Sequence, residues 1–226
     1  EAGLRTYDLQ APWPEEFNRR VASLVTSLHC APTDRAAQNL LDEGMSSENI
    51  HVTGNSVIDA LLWTVDRERQ NSDRWADKYP MLNGARTVLI TGHRRENFGD
   101  GFQAICEAIA TLAAKFSDVV FLYPVHLNPH VQQPVYSLLG ELGNVHLVPP
   151  AAYPEFVWLM DQSTILLTDS GGVQEEAPSL KKPVLVMRET TERPEALLAG
   201  AVELVGTSVT KIVDRVTVLL TDATEY

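Results

Sequence analysis

Apolar and polar residues come in blocks along most of the chain, and the order of the blocks predicts parallel strands joined by helices. Residues 86–91 form an apolar run between Asn83-Gly84 and Gly92, as expected of a strand buried on both faces. Residues 101–116 follow with apolar side chains at helical spacing. Those side chains are Phe102, Ile105, Ile109, Leu112 and Phe116.

The same alternation continues to the end of the chain. Further strands are predicted at 118–123, 144–148, 164–168, 183–187 and 201–205, and further helices at 134–142, 153–160, 172–180, 194–198 and 209–220. Parallel strands need crossover connections, which are usually helices. The fold class is therefore α/β, with a doubly wound parallel sheet.

The first part of the chain has a different pattern. A helix from Pro14 carries Phe17, Val21 and Leu24, and a second helix is capped by Thr33 or Asp34. A strand end and linker at 51–55 and a helix at 56–65 follow. So short a region cannot bury these apolar faces by itself, and the pattern predicts a partner domain.

Composition limits the partners. The chain has 226 residues, of which 44% are hydrophobic, and a formal net charge of −12. This balance argues against nucleic acid as a partner but leaves a small anionic ligand open, because local groups set a pocket. No apolar run has the roughly 18 residues that a membrane span needs. Cys30 and Cys106 are too few for a disulfide framework, which favours the cytoplasm.

In an open parallel sheet, ligands bind at the carboxyl ends of strands, and the clearest candidate there is the turn at 168–172, Thr-Asp-Ser-Gly-Gly. Its glycines let backbone N–H groups approach an anion, and Ser170 can cap the next helix or donate to phosphate. Helical spacing puts Glu176 beside the buried edge, where it can accept bonds from ribose hydroxyls, and turns Glu175 towards water. The alternative is an ordinary glycine-rich turn.

A second candidate follows the strand at 86–91. His93, Arg94 and Arg95 could meet a diphosphate, for which arginine is the better bidentate partner. The alternative is a solvated loop in which Glu96 neutralises one arginine.

Histidines follow the next strand. His126 and His130 have i,i+4 spacing, but Pro129 argues against one helix presenting both. No metal is expected, because the sequence has no clustered Cys/His set. A loop histidine with satisfied hydrogen bonds is the alternative for His126.

Arginine also stands before the helix at 194–198. Arg193 precedes Pro194, a residue suited to a helix start. It could bind a ligand, or it could pair with Glu189, Glu192 or Glu195.

Carboxylates and aromatic rings complete the candidates. Glu1, Glu15 and Glu16 are acid/base candidates only in context, since Glu15 and Glu16 also suit the first turn of a helix. Phe156 and Tyr153 could stack on a base or pack a core.

Several of these segments together resemble one family, the bacterial non-hydrolysing UDP-N-acetylglucosamine 2-epimerases. The matching segments are residues 1–5, 12–16, 53–55, 92–96, 124–129, 169–172, 174–176 and 190–195. They stand in the family's order across almost the whole chain, and such a joint match is far more specific than any one motif.

The resemblance implies two Rossmann-like domains, as in B-type glycosyltransferases, with the substrate in the cleft. It makes residues 1–52 the C-terminal remnant of the N-terminal domain and residues 53–226 a UDP-binding C-terminal domain. It also implies a homodimer that interconverts UDP-N-acetylglucosamine and UDP-N-acetylmannosamine without a cofactor, with UDP-N-acetylglucosamine also a possible allosteric activator. Because Glu1 is not an initiator Met and the family's N-terminal half is absent, we expect a fragment that is inactive alone.

The resemblance also assigns roles to residues. Catalytic roles fall on Glu1, Glu15 and His93. Substrate-binding roles fall on Phe156 for uracil, on Ser170, Gly171 and Gly172 for the diphosphate, on Glu176 for ribose and on Arg193. A regulatory site would include Glu16, Arg94 or Arg95, and His126. Ala151 departs from the family, where a polar residue near uracil is expected.

The implied reaction is an anti elimination of UDP that gives 2-acetamidoglucal, followed by re-addition with protonation from the other face. It needs a carboxylate base and acid, and fixed donors for the departing diphosphate. A hydrolysing epimerase, a B-type glycosyltransferase and a non-catalytic UDP-binding module are the alternatives.

Overall fold

The chain divides into two compact units in this computed structural model, which describes residues 1–222 and 224–225. The first unit comprises Glu1–Ala60 and Thr190–Pro194, and the second comprises Leu61–Glu189 and the described residues from Glu195 onward. The domain boundary that the resemblance implies after residue 52 stays a prediction.

The first unit is built around a small parallel sheet. Its strands are β1 (His29–Ala31) and β2 (Ile50–Val52), paired in register from His29 and Ile50. Strand β1 was not predicted, since three residues are too few to show a period of two. The helices of this unit are α1 (Glu15–Val25), α2 (Asp34–Asp42) and the first residues of α3 (Ser56–Gln70). Thr33 rather than Asp34 caps α2, since its side chain accepts a hydrogen bond from the Ala36 N–H.

Helix α1 is buried along a polar side. Its buried residues are Glu16, Arg19 and Ser23. The predicted apolar side is exposed, with Phe17 at 43% and Leu24 at 75%. The apolar spacing was real, but ion pairs and hydrogen bonds fix the opposite side of α1 within this unit. The partner domain predicted for the apolar side stays a prediction.

Within the described residues, the second unit has six strands in one parallel sheet. These are β3 (Arg86–Thr91), β4 (Val119–Pro124), β5 (Val145–Val148), β6 (Ile165–Thr168), β7 (Val184–Val186) and β8 (Val202–Leu204). Their order across the sheet is β5-β4-β3-β6-β7-β8. The chain thus winds outward from β3 in one direction, returns to the centre, and winds outward from β6 in the other. All six strands had been predicted, with ends shifted by one residue at most.

Helices connect these strands. After α3 they are α4 (Ser72–Lys78), α5 (Asp100–Lys115), α6 (Pro129–Leu139), α7 (Tyr153–Gln162), α8 (Val173–Ser179), α9 (Pro194–Leu198) and α10 (Val209–Thr221). Helix α4 was not predicted. Helix α6 begins five residues before the predicted start, because Asn128 caps it and Pro129 occupies its first turn.

Both faces of the six-stranded sheet are covered. Val88 and Ile90 of β3 pack in one core with Phe102 of α5. Leu89, between them, packs in the other core with Leu159 of α7. Successive strand residues point to opposite faces, so a continuous apolar run is what burial on both faces requires. The predicted doubly wound α/β fold is confirmed.

The helices of the described residues, 1–222 and 224–225, include none with the length and apolar character needed to cross a bilayer.

Candidate functional site

The strand order places a crevice between β3 and β6. These strands are neighbours, with Thr91 paired to Thr168 and their hydroxyl oxygens 2.6 Å apart. The chain leaves the two strand ends in opposite directions, and such a switch point is where open α/β sheets bind ligands. The predicted loops after β3 and β6 therefore meet at one place.

Asp169 lies at the centre of this place. Its side chain is fully buried, and Oδ2 accepts hydrogen bonds from the backbone N–H groups of His93 and Arg94, both at 2.8 Å. Oδ1 lies 3.3 Å from His93 Nδ1. Asn97 Nδ2 lies 3.5 Å from Oδ2 and donates to the Met187 carbonyl at 3.1 Å. One carboxylate thus ties the loop after β3 to the turn after β6.

From the sequence, Asp169 had been recognised only as part of the turn at 168–172. A carboxylate directly after a buried strand was the available signal, because such a group has to find donors on neighbouring strand ends. Its donors lie 75 and 76 residues away in sequence, so the pattern could not name them.

A cavity of about 210 Å³ opens at the crevice. Its walls are Thr91, Gly92, His93, Pro124, His126, Pro150, Ala151, Phe156, Ser170 and Val173. The rings of His93 and His126 stack with centroids 5.5 Å apart. The structure thus brings together His93, His126, Phe156 and Ser170, four residues singled out from separate segments.

The Ser170-Gly171-Gly172 turn is fixed by a hydrogen bond at Ser170 and has open space beside Gly172. The Ser170 N–H donates to Thr168 Oγ1 at 3.0 Å. Gly172 has φ −64°, and a Cβ built on it would meet only Glu176 Oε2, at 3.9 Å. No side chain caps α8 within the described structure, so of the two roles weighed for Ser170 the helix cap is not observed. The room above Gly172 can admit a ligand to the backbone.

Glu176 is buried, at 6% exposure, and its Oε1 accepts a hydrogen bond from the Tyr153 hydroxyl at 2.8 Å. Burial raises the pKa of Glu176, the Tyr153 bond lowers it, and the charge of Glu175 raises it further, so that the net shift is upward. The predicted position of Glu176 at the buried edge of α8 is confirmed. Glu175 is half-buried, so its side chain meets water only in part.

Some of the other polar residues of these loops are buried in ion pairs, and others are exposed to solvent. Arg188 is 2% exposed, and its Nε donates to Glu96 Oε1 at 2.9 Å. In the alternative weighed for this loop, Glu96 neutralised one of the loop's own arginines; in the structure it pairs with Arg188, just after β7. Arg94 is half-buried, whereas Arg95 is exposed.

His126 and His130 behave as the proline between them indicated. His126 is exposed, and its Nδ1 accepts the Asn128 N–H at 3.1 Å. His130 lies in the first turn of α6 and stacks on Phe98, with centroids 5.3 Å apart. The described residues contain no group of three or more His, Cys, Asp or Glu side chains suited to a metal ion.

The first unit has a charged cluster of its own. Arg19 Nη1 lies 3.0 Å from Glu1 Oε2, and Arg193 Nη2 lies 3.2 Å from Glu1 Oε1. Arg193 also donates to Glu192, one of the three pairings weighed for it. Burial acts to raise the pKa of Glu1, but the hydrogen bond from Arg19 and the charges of both arginines outweigh it and lower that pKa. Glu1 is therefore ionised at neutral pH.

The two glutamates at the start of α1 differ. Glu16 is fully buried, and its carboxylate accepts the N–H groups of Thr6 and Tyr7, both at 3.1 Å, and Arg19 Nη2 at 3.0 Å. Glu15 is half-buried. Glu16 therefore holds the segment before α1 in place.

The fold and the site together define a class of protein. The chain carries a doubly wound α/β unit with a cavity at the switch point, a glycine-rich turn after the central strand β6 and a buried carboxylate beside it. This is the architecture of α/β proteins that bind ligands at strand carboxyl ends.

Comparison with known proteins then gives the family. The profile described as UDP-N-acetylglucosamine 2-epimerase matches residues 1–226, and the chain belongs to that family. The UDP-N-acetylglucosamine 2-epimerase of Salmonella typhimurium is 54% identical over 230 residues, covering 100% of this chain and 61% of that protein.

Solved structures agree. The UDP-GlcNAc 2-epimerase of Neisseria meningitidis bound to UDP-GlcNAc has a TM-score of 0.98 and 47% identity, covering 100% of this chain and 62% of that one. The Methanocaldococcus jannaschii UDP-GlcNAc 2-epimerase in complex with UDP-GlcNAc and UDP has a TM-score of 0.85 and 33% identity, covering 98% and 61%. The present chain thus spans about 61% of the length of the curated relatives it matches. The roles predicted for its site residues stay predictions.

Proposed function

We propose that this protein acts as a UDP-N-acetylglucosamine 2-epimerase, interconverting UDP-N-acetylglucosamine and UDP-N-acetylmannosamine. The observation that carries the proposal is a cavity that unites His93, Phe156 and Ser170. It occurs in a chain that matches, over its whole length, a relative solved with UDP-GlcNAc.

The second unit supplies groups suited to each part of UDP. The Phe156 ring offers a face for uracil, since bases stack on aromatic side chains. The backbone of the Ser170-Gly171-Gly172 turn and the His93 side chain, 40% exposed, offer donors to the diphosphate. Glu176 offers a carboxylate to the ribose hydroxyls. Arg193 is proposed as a further UDP ligand from the family resemblance.

Proton transfer at C2 is assigned to Glu1 and Glu15, and His93 is assigned to the departing UDP. The C2 hydrogen lies next to no carbonyl, so its removal needs the C1–O bond to break in the same elimination. A base must be ionised to accept that proton, and Arg19 and Arg193 keep the pKa of Glu1 low. The planar C2 of 2-acetamidoglucal then takes a proton on the other face as UDP adds back.

Regulation, assembly and location are proposed from the family resemblance alone. UDP-N-acetylglucosamine would act as an activator near Arg94, Arg95 and His126, and the protein would be a cytoplasmic homodimer. Glu16, also placed at that regulatory site, already binds three donors within the first unit.

Turnover in deuterated water tests the reaction. With the full-length protein and UDP-N-acetylglucosamine, we expect UDP-N-acetylmannosamine that carries deuterium at C2, and no net release of UDP. NMR measures both the product and any released UDP. Net release of UDP with free N-acetylmannosamine would indicate a hydrolysing enzyme. Transfer of the sugar to an added acceptor would indicate a glycosyltransferase, and binding without turnover would indicate a UDP-binding module.

Gly172→Ala tests the diphosphate turn. Its φ of −64° suits alanine, and the added methyl group meets only Glu176 Oε2, at 3.9 Å. Stability should therefore be unchanged, or raised by about 0.4–1 kcal/mol. UDP affinity should fall by roughly tenfold or more, because the methyl group occupies the space the phosphate needs. Calorimetric titration with UDP and a melting curve measure both effects.

Gly143→Ala is the matched control. A Cβ at Gly143 would meet nothing within 4 Å. The residue lies before the start of the edge strand β5, whereas the turn follows the end of the central strand β6. Equal UDP affinity in the two alanine variants would rule out the turn as the diphosphate site.

A further inference from the structure

The Tyr153–Glu176 hydrogen bond holds only one of the two carboxylate oxygens. Tyr153 donates to Oε1 at 2.8 Å. Oε2 lies 3.9 Å from the position that a Cβ on Gly172 would take, so it faces the open side of the turn. None of the hydrogen bonds among the described residues uses Oε2. The carboxylate is thus anchored at one end and available at the other.

We infer that Tyr153 is a positioning residue that fixes Glu176 so that Oε2 meets the ribose hydroxyls, and that this hydrogen bond sets the preference of the site for a ribonucleotide. The inference rests on the proposed function, which makes UDP the ligand.

The placement of Tyr153 supports this role. It is the first residue of α7, the helix that also carries Phe156 of the cavity wall. One helix therefore positions both the ring proposed for uracil and the hydroxyl that orients the carboxylate. Tyr153 remains 41% exposed, whereas Glu176 is 6% exposed, so the tyrosine contributes a hydrogen bond more than core packing.

The bond also affects the charge on Glu176. Burial raises the pKa of Glu176, and the charge of Glu175 adds to that effect, whereas the Tyr153 bond opposes both. Without the hydroxyl, Glu176 would take up a proton at a higher pH. A protonated carboxyl is a weaker acceptor for ribose hydroxyls than a carboxylate. Losing Tyr153 should thus impair both the orientation and the ionisation of Glu176.

The experiment compares UDP with 2′,3′-dideoxy-UDP on the full-length protein by calorimetric titration. The wild type should bind UDP about tenfold or more tightly than the dideoxy analogue, because a charged acceptor then loses its donors. Tyr153→Phe should weaken UDP binding, leave the dideoxy analogue unchanged, and bring the ratio of the two dissociation constants close to one. Glu176→Gln should lower the ratio similarly, and the double variant should lower it little further.

Tyr136→Phe is the matched control. Tyr136 lies on α6 of the same unit and is 48% exposed, so its variant should keep the wild-type ratio. A pH series adds a readout that a purely structural role would not move. The UDP affinity of the wild type should fall as Glu176 becomes protonated, and in Tyr153→Phe this fall should begin at a higher pH.

The outcomes separate the two claims. If the wild type does not bind UDP, the proposed function fails. If the wild type binds UDP and Tyr153→Phe keeps both the wild-type ratio and the wild-type pH profile, the positioning role alone is overturned.

Discussion

Replacing Asp169 by alanine is expected to lower the free energy of unfolding by about 3 kcal/mol or more and to remove measurable UDP binding. The carboxylate is fully buried and accepts two backbone N–H groups at 2.8 Å. Alanine leaves those donors without their acceptor, and each buried donor left unsatisfied costs about 1–3 kcal/mol. At this chain length, 3 kcal/mol corresponds to a melting temperature lower by roughly 6–12 °C.

The affinity for UDP should fall for a reason independent of the loss of stability. The His93 loop is fixed to the turn after β6 through Asp169, so the proposed diphosphate donors lose their common anchor. The control is Asp118→Ala, which removes a carboxylate that is 68% exposed and pairs with Arg86 at the surface. Exposed pairs contribute at most about 1 kcal/mol, so this variant should melt within a few degrees of the wild type and bind UDP normally. An Asp169→Ala protein with wild-type melting and affinity would refute the central role of Asp169.

Glu1→Gln should lower kcat of the full-length protein by about 10²–10⁴-fold while leaving the dissociation constant of UDP nearly unchanged. An amide has the size of the carboxylate and can still accept a hydrogen bond from Arg19 or Arg193, but it cannot take up the C2 proton. The measurements are turnover of UDP-N-acetylglucosamine by NMR and calorimetric titration with UDP.

Glu48→Gln provides the comparison within the same unit. Glu48 is exposed, so its variant should turn over like the wild type. A kcat for Glu1→Gln within about twofold of the wild type would remove Glu1 from the proton-transfer step, since loss of a general base costs far more than this.

Most of the second unit could be predicted from sequence, because burial on both faces leaves an unambiguous pattern. Runs such as 86–91 and 164–168 are apolar throughout and are bounded by turn residues. The strand order is not contained in any single run. It follows from the pairing of β3 with β6, a contact between segments more than seventy residues apart.

The side on which helix α1 of the first unit packs could not be predicted from the sequence, for a physical reason. Periodicity identified α1, but the side it buries is the polar one, where Glu16 and Arg19 form an ion pair at 3.0 Å. A pattern of apolar residues cannot reveal a face that is buried through charge. The same limit explains why Asp169 and Arg188, both buried and charged, were passed over as central residues.

The sequence could indicate candidate residues where the fold class itself fixes their position. Strand carboxyl ends gave His93 and Ser170, and helical spacing gave Glu176. The bond from Tyr153 to Glu176 could not be foreseen, since it joins side chains 23 residues apart on two different helices.

The Asp169 carboxylate has a consequence for protein engineering. The loop after β3 cannot be exchanged by itself, because its backbone N–H groups at His93 and Arg94 bind the Asp169 carboxylate, 76 and 75 residues further along the chain. A chimera that takes only residues 91–98 from a relative would combine the relative's loop with the Asp169 carboxylate of this chain. Transplanting residues 91–98 together with 168–176 keeps Asp169 and the loop matched. Arg188 belongs to the same exchange, because it pairs with Glu96 of that loop.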